Sequence, residues 1–414
     1  MKAIVIGAGI GGLTTALMLH SRGIECDVFE QSPVIRELGV GINVLPMAIG
    51  ELAELGLLDA LDEVAIRTRE LIYMTRRGQE VWREARGLDA GMTHPQFSIH
   101  RGRLQTVLAR AMLERLGPER VHLGQRLLGF LQDSQGVHAS FVDAQGQPGA
   151  SVRADLLIGA DGIHSTVRSQ LFPQEGPASW QGVMLWRGAT DWPVFQDGRT
   201  MLIAGGLGAK AVVYPIAMGG RDGERLTNWA IAARIGDGQS PPPRKESWSR
   251  PGQRDELMAR LGAFRLPHAD IAALIAATPQ FWEYPMCDRD PLPRWSHGRV
   301  TLLGDAAHPM YPVGSNGASQ AILDARCLCD ELSRQGADIS NALARYEADR
   351  LPKTAAIVIS NRSGGPEGVI DAVESLAPDG FDDIEAILPL GERRKIVQGA
   401  SRLSSAAAAR PPQP

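Results

Sequence analysis

The sequence lacks the features that mark several large classes of protein. Its only cysteines are Cys26, Cys287, Cys327 and Cys329, and they are not spaced like a disulfide framework or a zinc site. We expect buried, free thiols and no bound metal. No apolar run reaches the roughly 18 residues that a membrane-spanning helix needs. The net charge of −4 argues against a nucleic-acid-binding protein, because such proteins carry a strongly basic surface.

Two kinds of catalytic machinery are also missing from the sequence. No Ser/His/Asp or Cys/His arrangement indicates a nucleophilic enzyme, and no Cys-x-x-Cys pair indicates a thiol–disulfide reductase. Lys2 and the apolar run after it could begin a signal peptide, but the glycines that follow fit a nucleotide-binding fold better. We expect a cytoplasmic protein, monomer or homodimer, whose partner is a small molecule rather than a nucleic acid or a membrane.

What the sequence does contain begins with a βαβ unit. Apolar runs at residues 3–6 and 27–30 predict two buried parallel strands, and residues 13–20 between them predict a helix. Similar buried runs at 156–158 and 300–303 each continue into glycine and aspartate. These runs predict a parallel, Rossmann-like sheet.

The turn after the first strand carries the spacing G-x-G-x-x-G at Gly7, Gly9 and Gly12. The first glycine permits the tight turn, the second lets a pyrophosphate approach the backbone, and the third lets helix and strand pack closely. Glu30 ends the second strand, where its carboxylate can accept from ribose hydroxyls, and Gln31 follows it. The pattern indicates a dinucleotide but does not separate NAD from FAD.

A second sheet is predicted in the middle of the chain. Four short β-rich runs favour a mostly antiparallel sheet: residues 184–186, 201–203, 212–214 and 229–231. Residues 317–335 predict a long helix. The small residues and prolines of 404–414 predict a disordered tail.

Two later segments favour flavin over nicotinamide as the bound dinucleotide. Residues 159–168 read GADGIHSTVR, and residues 304–309 read GDAAHP. Together with the glycine turn they resemble, in order and spacing, the three motifs of the group A flavoprotein aromatic hydroxylases of the p-hydroxybenzoate hydroxylase type. Residues 39–43, 284–293 and 314–323 are locally most similar to the phenazine branch of that family, the 5-methylphenazine-1-carboxylate 1-monooxygenase-like enzymes.

The resemblance implies an α/β fold in which a Rossmann-like FAD-binding domain is interleaved with a smaller, mostly antiparallel β-sheet substrate domain and followed by C-terminal helices. The expected divisions are FAD-binding segments 1–72, 98–178 and 285–360, substrate-domain segments 73–97 and 179–284, a C-terminal helical segment 361–403 and the tail 404–414.

The resemblance also implies a set of binding residues. Arg101 matches the family arginine that reaches the FAD, and the helix that begins near Gly317 would direct its positive N-terminal end at the flavin ring. The expected cofactor-binding residues are Gly7, Gly9, Gly12, Glu30, Gln31, Gly41, Arg101, Asp161, Asp305, Pro312, Gly314, Gly317 and Ala318. The expected substrate-binding residues are Trp186, Arg187, Tyr214 and His308. For Trp186 and Tyr214 a purely structural role in the sheet, and for His308 simple packing, remain open.

The implied activity is hydroxylation of an aromatic or N-heteroaromatic acid, with or without loss of its carboxylate. NADH or NADPH would reduce FAD, and O₂ would then form a flavin C4a-hydroperoxide that delivers one oxygen atom. With one dinucleotide motif in the chain, the nicotinamide would dock only transiently. The alternatives are another FAD-dependent oxidoreductase, such as an epoxidase or a reductase, and a non-catalytic flavoprotein.

Overall fold

A computed structural model describes residues 1–35, 37, 39–243, 250–261, 264–334 and 338–408. Within these residues the chain forms eighteen β-strands and twelve α-helices. The strands are β1 (Lys2–Ile6), β2 (Glu25–Glu30), β3 (Gly41–Val44), β4 (Ala65–Thr68), β5 (Glu70–Met74), β6 (Glu80–Ala85), β7 (Gln96–His100), β8 (Val121–Leu123), β9 (Arg126–Asp133), β10 (Gly136–Val142), β11 (Pro148–Ala154), β12 (Leu156–Gly159), β13 (Ser179–Pro193), β14 (Thr200–Ala204), β15 (Ala209–Met218), β16 (Glu224–Arg234), β17 (Phe281–Asp288) and β18 (Val300–Leu302). The helices are α1 (Ile10–Ser21), α2 (Pro46–Glu54), α3 (Leu58–Asp62), α4 (Arg101–Leu116), α5 (Thr166–Leu171), α6 (Arg254–Leu261), α7 (Ile271–Ala276), α8 (Asn316–Ser333), α9 (Ile339–Arg362), α10 (Gly368–Leu376), α11 (Ile384–Ile387) and α12 (Leu390–Ala408).

The predicted parallel sheet is present and has five strands in the order β18-β12-β1-β2-β8. Every neighbouring pair in it is parallel. Helices α1 and α8 pack against each other beside this sheet, and the small antiparallel sheet β9–β11 contacts it, with Phe29 of β2 stacked on Phe141 of β10 at 4.1 Å between ring centroids. Because these helices and the small sheet cover the parallel sheet, its strand sequences are almost continuously apolar.

The predicted second sheet has seven strands in the order β17-β13-β16-β15-β14-β5-β6. Its pairings are antiparallel except for β14 with β5. All four β-rich runs of the sequence lie in its strands. Strands β3, β7 and β4 form a further antiparallel sheet that contacts β15. The predicted fold class is therefore confirmed.

The two faces of the seven-stranded sheet have different partners. Because successive side chains of a strand point to opposite faces, alternate residues of each strand share a surface. One surface, which includes Trp186 and Trp229, forms a hydrophobic core with α6 and α7. The other surface, which includes Arg187 and Tyr214, faces a cavity and the glycine-rich turns of the parallel sheet. This division decides which of the predicted residues can reach a ligand.

Several predicted boundaries differ from the strands and helices of the structure. The division between residues 72 and 73 falls inside β5, and the one between 284 and 285 falls inside β17. Helix α12 continues to Ala408, so the first five residues of the predicted disordered tail are helical, whereas 409–414 lie outside the described residues. None of the helices in the described part of the chain combines the length and apolar character needed to cross a bilayer.

All four cysteines are described, and none forms a disulfide. Cys26, Cys327 and Cys329 are buried as predicted, and burial raises the pKa of Cys26 and of Cys327 to about 12. Such thiols stay protonated and unreactive at neutral pH. Cys287 is only half-buried and lies on the cavity wall, so the prediction that it is buried was wrong.

A buried carboxylate holds α8, α9 and the turn after β18 together. Asp324 accepts hydrogen bonds from Arg350 Nε at 2.7 Å, from His308 Nε2 at 2.6 Å and from the Gly304 backbone N–H at 3.1 Å. Burial raises the pKa of Asp324, but the charges of His308 and Arg350 and the hydrogen bonds from them together lower it to about 2. The carboxylate is therefore ionised at neutral pH and holds the turn in place through Gly304 and His308.

We expect Asp324→Asn to destabilise the protein strongly, because Arg350 is fully buried and would lose its counter-charge. Breaking a buried ion pair by removing one partner costs about 3–5 kcal/mol. The free energy of unfolding, measured by urea titration with circular dichroism, checks this. The matched control is Glu392→Gln, which removes an exposed ion pair with Lys395 and should cost less than about 1 kcal/mol. Equal stabilities of the two variants would contradict the structural role of Asp324.

Candidate active site

A continuous cavity runs from the glycine turn after β1 to the inner face of the seven-stranded sheet. The structure brings together ten of the residues that the sequence predicted. They are Gly9, Gly41, Arg101, Asp305, Pro312, Gly314, Gly317, Ala318, Arg187 and Tyr214. Residues separated by more than 300 positions thus line one space.

The glycine turn is shaped to leave room for a ligand. Gly7 has a φ of +102°, which side-chain-bearing residues rarely adopt, and a Cβ at Gly12 would lie 1.9 Å from the carbonyl oxygen of Gly7. A Cβ at Gly9 would meet nothing within 4 Å, because this glycine faces the open cavity. The Glu30 carboxylate accepts from the Ala8 N–H at 2.8 Å and so braces the turn. Because α1 begins at Ile10, directly after this turn, the backbone forms a cradle in which the first N–H groups of the helix can bind a pyrophosphate.

Helix α8 directs its N-terminus into the cavity. Residues 314–318 line the wall, and Ser315 adopts a left-handed conformation with φ of 60° immediately before the helix. The Ser315 side chain makes no capping hydrogen bond, and a Cβ at Gly317 would meet nothing within 4 Å. The first N–H groups of the helix therefore offer partial positive charge to a ligand in the cavity.

The turn after β18 carries Asp305 into the same space. Arg168 does not line the cavity, and it holds this turn because its Nη1 donates to the carbonyls of Ala306 at 3.0 Å and Ala307 at 2.8 Å. Arg168 also pairs with Glu175, so its role is structural. Burial raises the pKa of Asp305, while nearby positive charges, including Arg101, oppose that shift.

Arginines and tyrosines line the end of the cavity beside the sheet. Arg187 Nη1 donates to the Tyr284 hydroxyl at 2.9 Å, and the guanidinium carbon lies 5.3 Å from the centroid of the Tyr284 ring. Burial lowers the pKa of Arg101, and the neighbouring charge of Arg187 lowers it further. Two guanidinium groups in one cavity favour anionic ligand groups there.

Trp186 and His308 were expected either to contact the substrate or to have purely structural roles, and the structure places both away from the cavity in structural positions. Trp186 precedes Arg187 on β13, so its side chain points to the opposite face, where its indole N–H donates to Glu283 at 3.2 Å. His308 is 3% exposed and faces away from the cavity, toward Asp324 and the ring of Trp295. Neither residue lines the cavity.

Five of the predicted cofactor-binding residues do not line the cavity: Gly7, Gly12, Glu30, Gln31 and Asp161. The first three shape or brace the glycine turn, as described above. Asp161 accepts from the Ser165 hydroxyl at 2.5 Å and from the Thr166 and Val167 backbone N–H groups, so it caps the start of α5. Gln31 is exposed on the surface. Asp161 belongs to the motif at 159–168 and Gln31 follows Glu30, but neither side chain lines the cavity.

Many other residues of the wall were not predicted to bind a ligand. Among them are the polar residues Tyr73, Arg86, Lys210, Tyr284 and Glu367. Lys210 could have been found from Tyr214, because residues four apart on one strand share a face. The others come from strands and loops whose alignment depends on cross-strand register, which no local pattern in the sequence reveals.

Comparisons with known proteins agree with this geometry. Residues 1–360 match the family described as FAD binding domain. The chain is 45% identical over 364 residues to phenazine 1,6-dicarboxylic acid hydroxylase PhzS of Lysobacter antibioticus, a match that covers 87% of this chain and 88% of that protein. It is 36% identical over 372 residues to 3-amino-4-hydroxybenzoate 2-monooxygenase PtmB3 of Streptomyces platensis, with 88% of each chain covered.

A solved structure shares the whole architecture. The crystal structure of Klebsiella pneumoniae HpxO complexed with FAD and uric acid matches with a TM-score of 0.74 at 25% identity, over 98% of this chain and 97% of that one. The family match covers most of the chain, and the glycine cradle and the α8 N-terminus fit the dinucleotide that this family binds. The chain therefore belongs to the FAD binding domain family, and within it to the FAD-dependent aromatic hydroxylases of the class A flavoprotein monooxygenases.

Proposed function

We propose that this hydroxylase acts on an aromatic or N-heteroaromatic carboxylic acid, with NADH or NADPH as reductant and O₂ as co-substrate. The observation that carries the proposal is the Arg187–Tyr284 pair on the cavity face of the sheet, opposite the glycine-rich turns. The two curated relatives are named for acids of this kind, a phenazine dicarboxylate and an aminohydroxybenzoate. The similarity to the first supports the phenazine-type branch.

The cofactor-binding residues follow from the cradle. Gly9 gives the pyrophosphate access to the backbone, Arg101 supplies a positive charge beside it, and the Glu30 carboxylate, already held by the turn, has lone pairs left for ribose hydroxyls. The N–H groups at the start of α8 would stabilise negative charge on a flavin ring bound beside them. When bound, FAD supplies the redox chemistry by accepting a hydride from the nicotinamide and activating O₂.

The substrate-binding residues position an aromatic ring rather than attack it. Arg187 holds the carboxylate, and Tyr214 together with the aliphatic side chains of Val212 and Ile203 forms an apolar surface for the ring. The loop 309–312 closes the opposite wall. Burying the ring among these side chains removes water from the reacting atoms. Excluding water limits the loss of activated oxygen as H₂O₂ before it reaches the substrate.

The activity itself can be tested directly. We expect the purified protein to show a flavin absorption spectrum and to oxidise NADH or NADPH faster when aromatic or N-heteroaromatic acids are added in air. Mass spectrometry should find a product with one added oxygen, and it distinguishes simple hydroxylation from hydroxylation with loss of CO₂. Flavin binding without any substrate-stimulated oxidation, across carboxylated and neutral aromatics, would contradict the proposal and favour another oxidoreductase or a non-catalytic flavoprotein.

Arg101→Met should weaken FAD binding, because the variant keeps a long apolar side chain and loses the charge beside the pyrophosphate. A charge-assisted hydrogen bond of about 1.5–3 kcal/mol corresponds to an increase in Kd of about tenfold or more. Fluorescence titration of the flavin-free protein with FAD measures this. Arg103→Met on the same helix is the matched control, since Arg103 does not line the cavity. Identical FAD affinities in the two variants would exclude the proposed contact.

Arg187→Met should weaken binding of a carboxylated aromatic ligand by about tenfold or more, because it removes a charged partner. The change in flavin absorbance on titration of the holoenzyme reports the Kd. The uncharged carboxamide of the same ligand serves as control, and its Kd should stay nearly constant. Equal weakening of acid and amide would show that Arg187 shapes the pocket and does not hold a carboxylate.

A further inference from the structure

Asn228 is a buried amide on the face of the seven-stranded sheet that lines the cavity. It lies near the middle of β16, is 1% exposed, and contributes to the cavity wall. Strand register places it directly opposite Ala189 of β13 and Tyr214 of β15. Asparagine is uncommon in the interior of strands, because its side chain packs poorly on a half-buried pleated surface. The position therefore indicates a role for the amide itself.

One half of this amide holds the neighbouring backbone. Asn228 Oδ1 accepts from the Gly41 N–H at 2.8 Å, and a Cβ at Gly41 would lie 2.8 Å from the Asn228 Cβ. The bond therefore joins β3 closely to β16. Because a backbone N–H can only donate, the amide atom next to Gly41 is the oxygen, and the two ends of the amide cannot be exchanged. The nitrogen, Nδ2, is fixed on the other side.

The other half of the amide has no partner in the protein. Asn228 Nδ2 donates to no acceptor among the described residues, and the atom is not sealed within the protein. Since Asn228 lines the cavity, its N–H groups face that space. An acceptor alone would be enough to hold Gly41, and an unpaired donor in a buried place is unfavourable. The unused donor therefore favours a ligand with a hydrogen-bond acceptor beside it.

Asn228 and Arg187 are near enough to bind one small ligand together. Arg187 of β13 lies opposite Ala230, which is two residues along β16 from Asn228. Diagonal neighbours of this kind have Cα atoms about 7–8 Å apart, and residues two apart on a strand share a face. Both side chains line the cavity. This spacing suits a ligand whose carboxylate and ring acceptor belong to the same compact ring system.

We propose that Asn228 is a specificity-determining residue, whose Nδ2 group donates to an acceptor atom on the substrate ring, either a ring nitrogen or a ring-bound oxygen. The inference rests on the proposed function and deepens it, because it restricts the substrate to aromatic acids that carry such an acceptor. Gly41 orients the amide, and Arg187 holds the carboxylate. A ring of the same shape without the acceptor leaves the Nδ2 donor unpaired.

The test compares aromatic acids of matched shape, with and without an acceptor. In the first series a nitrogen replaces one ring C–H of naphthalene-2-carboxylate, which gives the quinoline carboxylates. In the second series the ether oxygen of a methoxynaphthoate replaces a CH₂ of the corresponding ethylnaphthoate. Each acid is titrated into the FAD-loaded enzyme, and Kd is read from the change in flavin absorbance. We expect an acceptor-bearing acid to bind about fivefold more tightly than its match, the ratio that one neutral hydrogen bond supplies. The series that shows the preference identifies the acceptor as nitrogen or oxygen.

Asn228→Asp separates the donor from the structural acceptor. The variant keeps an oxygen for the Gly41 N–H and replaces Nδ2 with an oxygen that repels a lone pair, so the preference should disappear or reverse. The added charge acts on both members of a matched pair, so it cancels in their ratio. Asn228→Ala tests the same donor if Asn228→Asp does not fold, and it should also abolish the preference. Thr227→Val is the matched control, because Thr227 is buried next to Asn228 on β16, outside the cavity wall, and this variant should keep the preference.

The possible results separate this inference from the proposal beneath it. If the wild type binds the acids but prefers no acceptor-bearing member of any pair, the inference is wrong and the proposed function stands. The same holds if Asn228→Asp keeps the preference, since holding Gly41 is then the only role of the amide. A variant that weakens FAD binding and leaves the ratio unchanged would assign Nδ2 to the flavin and also refute the inference. A wild type that binds none of the acids would contradict the proposed function and the inference together.

Discussion

The site depends on a single buried carboxylate behind the turn that follows β18. Asp324 accepts from Gly304, His308 and Arg350, which belong to the turn and to α9, while Asp324 itself lies on α8. Because an ionised carboxylate without these partners would be very unfavourable in the interior, the three elements can adopt only one relative arrangement at low energy. That arrangement directs Asp305 toward the cavity and His308 away from it, and it aims the α8 N-terminus at the same space.

The parts of the site that depend on local sequence were predicted from the sequence. The glycine turn requires a positive φ at Gly7 and the absence of a side chain at Gly12, and only a few sequence patterns meet both conditions. The strands of both sheets also have short-range signals, which are runs of apolar or β-branched residues. Local steric rules are visible in a sequence because the residues that obey them are neighbours.

The errors at the site have two different physical origins. Trp186 and Arg187 are adjacent on β13, and strand alternation forbids both side chains from reaching the cavity, so this error could have been avoided from the sequence. By contrast, the contact between Lys210 and Glu367 joins residues 157 positions apart, and the alignment of Tyr73 with Arg187 depends on four strand registers. Such contacts follow from the packing of the whole fold and leave no local pattern.

The C-terminal segment shows why composition alone misjudges order. Its small residues predict disorder, yet Ala407 is fully buried, and its carbonyl accepts from Arg350, which also binds Asp324. The Ser404 hydroxyl donates to Asn316 Oδ1 at the start of α8, 2.8 Å away. Small side chains let α12 approach α8 and α9 closely, so the feature that resembles low complexity is the one that permits tight packing.

The distribution of charge in the cavity bears on where a substrate would be hydroxylated. An aliphatic surface binds a flat ring without fixing its rotation in the plane, because dispersion and burial have little directional preference. Guanidinium groups do have direction, since their N–H groups lie in one plane and match a carboxylate at defined angles. With Arg187 holding the carboxylate, a planar acid is fixed in its rotation over the aliphatic surface of Val212 and Ile203. On the proposed function, the ring carbon that faces the flavin is then selected by the distance from that carbon to the carboxylate, and substrate length becomes a determinant of regiochemistry as well as of affinity.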